Sequence, residues 1–159
     1  MTRKLSLSAF QQRIGELPSD IERAVVRGEH RAAERLEWLV VETIGETQPF
    51  VPFDTGELAR SVRTEKNHQG ARVVVDAPHA PFIEYGTRPH RPPLQPLIDW
   101  VMRRGWASSE KEAHPIALGI ARKIERSGTS PRHFMKRAMA EFERRNILND
   151  EISAELEDI

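Results

Sequence analysis

Apolar residues recur at helical spacing along the first and last thirds of the chain, and alternate at strand spacing only between them. Over residues 19–46 the positions Ile21, Val25, Ala32, Leu36, Leu39 and Thr43 step by three, four and seven, which marks one face of a helix. Ser19 opens it, and Glu22 three residues on completes a capping box. At 1.5 Å per residue this helix would run for about 40 Å. Trp38, Val40 and Val41 spread around its girth near the end, more apolar surface than one facing sheet covers. Either the helix is sandwiched inside its own fold or Trp38 meets a neighbouring subunit. Upstream, Leu7, Phe10, Ile14 and Leu17 predict a short amphipathic helix over 5–17, closed by Pro18.

Pro49 and Pro52 stop the long helix and impose an extended passage. Asp54, with Glu57 three further on, can cap one or two helical turns over 55–61, and Gly56 stands where the chain must change direction. Residues 62–66 and 71–77 flank the turn-forming run Asn67-His68-Gln69-Gly70 and predict an antiparallel hairpin. Val73 and Val75 share one face, and Val74 lies with Arg72 and Asp76 on the other. Phe82, Ile83 and Tyr85 are expected to anchor the next segment, with Gly86 supplying a positive φ or a close backbone approach. Arg88, Pro89, His90, Arg91, Pro92 and Pro93 support neither a ladder nor a helix, and read as a stiff, extended surface arm.

Three helices are predicted beyond the arm. Residues 94–104 turn Leu97, Trp100 and Val101 inward and stop at Gly105. Residues 115–126 begin on Pro115 and carry Ile116, Ile120 and Ile124 at intervals of four. The last starts with Ser130 as cap and Pro131 in its first turn, with Phe134, Ala138 and Phe142 inward and Met135 and Met139 beside them. Asp150, Glu151, Glu155, Glu157 and Asp158 then predict a frayed helix or a disordered end. No internal repeat is evident. The pattern amounts to an α+β fold: a long N-terminal helix, a small antiparallel sheet with its hairpin, C-terminal helices and an extended proline-rich arm. Residues 1–148 form the single domain, with 1–18 as an N-terminal helical arm and 149–159 as an acidic tail.

Composition narrows the function classes. At 159 residues one core is expected, and 24 Lys and Arg against 24 Asp and Glu leave no overall nucleic-acid footprint. The absence of cysteine excludes disulfides and thiolate metal sites. Neither a signal peptide nor a membrane span is visible, so a soluble intracellular product with no membrane partner is expected. Asp54-Thr55-Gly56 matches the loop that positions the aspartate of aspartic proteases, but Glu57 and the surrounding helices do not fit that chemistry. His79, His90 and Glu84 lack the spacing of a metal site. Ser61, Ser108 and Ser130 lack a nucleophile context, so no catalytic residue, metal or cofactor is assigned. Arg88, His90, Arg91, Arg103, Arg104, Arg122, Lys123 and Arg126 form a basic cluster that can line a DNA channel by phosphate contact, or be ordinary solvated faces. A helix-turn-helix over 115–126 and 131–145 is a rival, weakened by the lack of base-reading Asn or Gln on its second helix.

Three segments carry a family resemblance. Pro52, Asp54, Thr55, Gly56, Leu58 and Ser61 come first, then Ala80, Glu84, Tyr85, Gly86 and Thr87, then Pro131, Phe134 and Ala138. In order and spacing they resemble the minor tail or tail-completion components of tailed bacteriophages, over roughly residues 20–142. The chain departs from that pattern at His79, where an aromatic residue often stands, and by a helical insertion of about thirty residues before the last segment. The resemblance implies a non-enzymatic structural protein of the virion neck or tail, made in the host cytoplasm. It would act in tail completion or head-tail joining, as a ring of identical subunits contacting neighbouring neck or tail-tube proteins and passing DNA. It also implies that the turns around Asp54 and Tyr85 present the 88–93 arm to the next subunit, with Trp38, Trp100 and Trp106 as candidate receiving surfaces.

Overall fold

The computed structural model describes the backbone of residues 7–46 and 55–159 and the side chains of residues 18–46 and 55–159. Its elements are α1 (Leu7–Gly45), α2 (Glu57–Arg60), β1 (Val62–Asn67), β2 (Gly70–Val75), α3 (Ala80–Tyr85), α4 (Leu94–Arg103), α5 (Glu110–Ser127), α6 (Phe134–Arg144) and α7 (Ile147–Glu157). This is the expected α+β arrangement of a long first helix, a two-stranded antiparallel sheet and helices after it. The break expected at Pro18 is absent. α1 is one helix of 39 residues with Pro18, Ser19 and Glu22 inside it, because proline removes an amide donor but its fixed φ is itself helical. The helix stop and extended passage expected at Pro49 and Pro52, and the cap expected from Asp54, lie outside the described residues.

The main core forms where α1 meets the short elements and α6. Leu39, Val40 and Ile44 of α1 pack with Leu58, Val62, Ala77, Ala80, Phe134 and Ala138, and Val73 and Val75 lie against them as the hairpin pattern required. β1 and β2 pair from Val62–Val75 to Asn67–Gly70, which leaves His68 and Gln69 as a two-residue loop. His30 pins that end to α1: its Nε2 lies 2.9 Å from Asn67 O and 3.1 Å from Gly70 O. Carbonyls only accept, so Nε2 carries the proton.

α4 and α5 pack chiefly on each other around Ile98, Val101, Ala113 and Ala117, a second small core. α4 stops at Gly105 as expected, with Gly105 N donating to Met102 O and Trp106 N to Val101 O. α5 begins five residues before Pro115, because Ser109 Oγ accepts from Glu112 N while the Glu112 carboxylate accepts from Ser108 N. Its inward stripe is Ala113, Ala117 and Ala121, while Ile116, the first of the isoleucines spaced by four, is 37% exposed. Small residues let α4 approach closely.

The acidic end is not frayed. The last long helix breaks at Asn146, whose left-handed φ of 54° redirects the chain, and α7 continues along α1, antiparallel to it. Arg27, Arg31 and Arg35 repeat every four residues on α1 and meet α7's acids: Glu155 pairs with Arg27 at 2.5 Å and Arg31 at 2.8 Å, and Glu151 pairs with Arg35. Gly28 makes room, since a Cβ there would stand 2.6 Å from Ile152 Cα. The Arg27 hydrogen bond, helped by the charges of Arg31 and Arg27, holds Glu155 below the ordinary carboxyl value of 4.5 although burial opposes it. A carboxyl lowered in the folded state contributes stability above its unfolded value and loses it as pH falls through the folded one. α7 is therefore expected to stay protected from amide exchange at neutral pH and to open as pH drops below 4.5, with Glu155→Gln opening it at neutral pH. Equal protection in all three conditions would refute this.

Candidate functional site

The three motif segments converge. Thr55 and Gly56 form the turn into α2: Gly56 has φ 73°, and Arg60 Nη2 donates to Thr55 O at 2.8 Å. That turn drives Leu58 into the core at 1% exposure and delivers Ser61, whose O accepts from Asp76 N, to the open end of the hairpin. Pro52 and Asp54 lie outside the described residues.

The second segment is inverted relative to its expected polarity. Phe82 and Tyr85, expected as anchors, are 60% and 74% exposed, and Ile83 alone of the three packs against the core. Glu84 is the residue that goes inside, at 7% exposure. Its Oε2 accepts from Met135 N at 2.9 Å and its Oε1 from Lys136 N at 3.2 Å. These are the free amides at the second and third positions of α6, so a carboxylate from α3 caps a helix fifty residues away. The expected cap from Ser130 and Pro131 is thereby replaced. α6 starts at Phe134 after a left-handed His133, and its own first turn offers no acid. Arg132 N and His133 N also donate to Ile83 O and Glu84 O, stitching the two segments together.

Immediately beyond Tyr85 the chain makes a crossed joint that the sequence reading missed. Gly-Thr-x-Pro occurs twice, as Gly86 to Pro89 and Gly128 to Pro131, and the two copies pair. Thr87 and Thr129 form an antiparallel bridge, exchanging backbone bonds of 3.1 and 3.3 Å, with their hydroxyls 3.1 Å apart. The glycines interlock: a Cβ on Gly86 would stand 2.3 Å from Thr129 O, and one on Gly128 would stand 1.9 Å from Thr87 O. Both have positive φ with extended ψ, a region open to glycine alone. The joint closes the base of the α4–α5 hairpin, with Thr87 before it and Thr129 after it. A doubled tetrapeptide was the available sequence signal.

A groove of about 630 Å³ opens over the joint, lined by Leu58, Ile83, His90, Trp100, Arg104 and Arg132 among others. The 88–93 arm is extended and largely exposed as expected, but it is the connection from the joint to α4, and His90 N donates to Ile124 O at 3.4 Å. Trp100 and Trp106 stack edge to face at 5.0 Å, with the Arg104 guanidinium 5.4 Å from the Trp100 ring centre. They are thus engaged within the α4–α5 hairpin, whereas Trp38 is 56% exposed on α1. Arg103 closes α4, and Arg122 and Lys123 are exposed on α5. α5 packs on α4 while α6 packs on α1, an arrangement unlike a helix-turn-helix pair.

Both oxygens of Glu84 serve the α6 amides, which removes it from any ligand set with His79 and His90. Among the described residues no group of three or more His, Asp or Glu is arranged to hold a metal, and no helix is long and apolar enough to cross a membrane. The site holds a joint and an open groove. Comparison with protein-family models, curated proteins and solved structures gives no match.

Proposed function

We propose that this chain is a structural virion protein of a tailed phage or prophage, assembling as a ring at the neck or head-proximal end of the tail. It is an assembly component and not an enzyme, and it acts by presenting rigid surfaces to sister copies and neighbouring tail proteins. The observation that carries this reading is the convergence of the three motif segments on one joint: Leu58 seats the first, Glu84 and the Gly86-Thr87 pair lock the second, and Phe134 at 2% exposure seats the third. Side chains chosen to fix backbone geometry suit a protein whose work is to hold a shape. The 88–93 arm, spared conformational entropy by its prolines, suits docking to the next subunit.

The test is to purify tailed particles from the host that carries the gene and to search them for peptides of this chain. Its presence at a ring-like copy number in particles that include the neck is expected. Particles complete in neck and tail but devoid of it would overturn the proposal.

A further inference from the structure

The stripe of α1 on which α7 packs continues past the end of α7. Residues 7, 10, 14, 17, 21, 24, 28 and 31 alternate in steps of three and four, so in a helix unbroken over Leu7–Gly45 they share one face. α7 lies on the C-terminal part of that face, where Gly28 stands against Ile152 and Arg31 pairs with Glu155, and Ala24 is fully buried. Counted on from the Arg27–Glu155 pair, the antiparallel helices place Glu157, the last residue of α7, opposite Val25. Beyond that point the stripe changes character. It consists of Leu7, Phe10, Ile14, Leu17 and Ile21, all large and apolar, and Ile21 is 46% exposed. At 1.5 Å per residue, residues 7–21 extend for about 22 Å.

An apolar row that repeats in threes and fours is the seam of paired helices, narrower than the stripe a helix turns toward a globular core. We propose that residues 7–21 pair with the same residues of a second copy, antiparallel, in line with α7. The partner helix takes up the stripe where α7 leaves it and runs in the direction of α7, so the α1–α7 interface is extended without a break. In layers, Phe10 meets the partner's Ile21 and Ile14 meets the partner's Leu17, and the two-fold symmetry repeats both. Leu7 comes opposite the partner's Ala24, where the partner's α7 ends.

Charge sets the direction. Arg13 and Asp20 flank the seam on the same side, seven residues apart, and antiparallel pairing in this register brings each Arg13 to the partner's Asp20. Asp20 already accepts from Arg23 within the chain, and a carboxylate has room for two guanidinium groups. Parallel pairing would set Arg13 against Pro18 and drive the two α7 helices, which lie on the same face, into one another at Val25. Five large apolar side chains from each copy remove on the order of 1,000 Å² from water, the lower bound for a specific interface. The contact is isologous, so it is a second interface beside the head-to-tail contact of a ring and does not rest on the ring reading.

The experiment uses the full chain, sedimentation velocity and disulfide trapping, to which the absence of native cysteine lends itself. The natural chain is expected to dimerise, and Ile14→Asp/Leu17→Asp to dimerise at least about a hundredfold more weakly. The near-ultraviolet circular dichroism of Trp38, Trp100 and Trp106, all outside the segment, should stay unchanged. Arg13→Asp and Asp20→Arg should each weaken the dimer about tenfold at low salt, and their one-to-one mixture should restore it, because the mixed pair has opposite charges at both contacts. Mixed Ile14→Cys and Leu17→Cys chains should cross-link to each other faster than either does to itself. A natural chain that stays monomeric at submillimolar concentration would overturn the proposal. A dimer that Ile14→Asp/Leu17→Asp leaves intact would overturn it too, and would put self-association elsewhere on the chain. Faster cross-linking of each Cys variant with itself would show parallel pairing and count equally against it. So would a monomer that sediments with anionic lipid vesicles and loses them on Ile14→Asp/Leu17→Asp, which would assign the stripe to a membrane surface. The particle search decides the ring reading separately.

Discussion

Gly128→Ala is expected to destabilise the protein by more than about 3 kcal/mol and to loosen the α4–α5 hairpin from the rest of the chain. The backbone there has φ 68° and ψ −159°, a combination that any side chain strains. The steric cost is larger than the torsional one. The new Cβ would stand 1.9 Å from Thr87 O and 2.9 Å from Arg88 C, and backbone atoms cannot rotate away as a side chain can. The strands must separate, and the Thr87–Thr129 bonds go with them. Gly105 is the internal control: its φ is also 68°, yet a Cβ there meets nothing within 4 Å. Gly105→Ala should therefore cost only the conformational strain, about 1 kcal/mol. Urea unfolding of both variants separates close approach from φ. Equal midpoints for the two would show that the interlocked joint is not the source of stability claimed for it.

Glu84→Gln should cost about 2–3 kcal/mol and Glu84→Ala about 3–4 kcal/mol, although neither changes the main apolar core. Glutamine keeps the shape but places an amide nitrogen opposite Met135 N or Lys136 N, donor against donor, and forfeits the negative charge at the start of α6. Alanine leaves both amides without their acceptor. The first turn of α6 carries Lys136 and Arg137, so its own residues cannot make up the loss. Thermal melting gives the magnitude, and amide exchange at Met135 and Lys136 gives the location. A Gln variant within about 0.5 kcal/mol of the natural chain, with unchanged exchange at those two amides, would rule out the cross-element cap.

Both predictions concern residues whose type was legible in the sequence and whose partners were not. Gly86 was expected at a positive φ or a close approach, and it has both, because glycine's missing side chain advertises such positions. Gly128 drew no such expectation, since nothing local says that the backbone of Thr87, forty-one residues earlier, will be pressed against it. Glu84 read as a residue of the second resemblance segment and as a poor metal ligand beside His79 and His90. Only the placement of α6 against α3 turns it inward and leaves Phe82 and Tyr85 outside. The acidic end was misjudged for the same reason: Glu151 and Glu155 look solvated until α1 supplies Arg35, Arg31 and Arg27.

Local chemistry determined what could be decided locally. The spacing of apolar residues fixed the long helix and the face of Val73 and Val75, the Asn67-Gly70 run fixed the hairpin, and Gly105 fixed the end of α4. Each depends on interactions within a few residues, where the 3.6 and 2.0 periods and a glycine's torsional freedom act directly. Tertiary structure decided which acids are buried, where α6 and α7 begin, and that two Gly-Thr segments clasp. Those outcomes depend on which distant backbone amide, arginine or carbonyl arrives to complete a pair, and the free energy of such pairs belongs to the assembled fold.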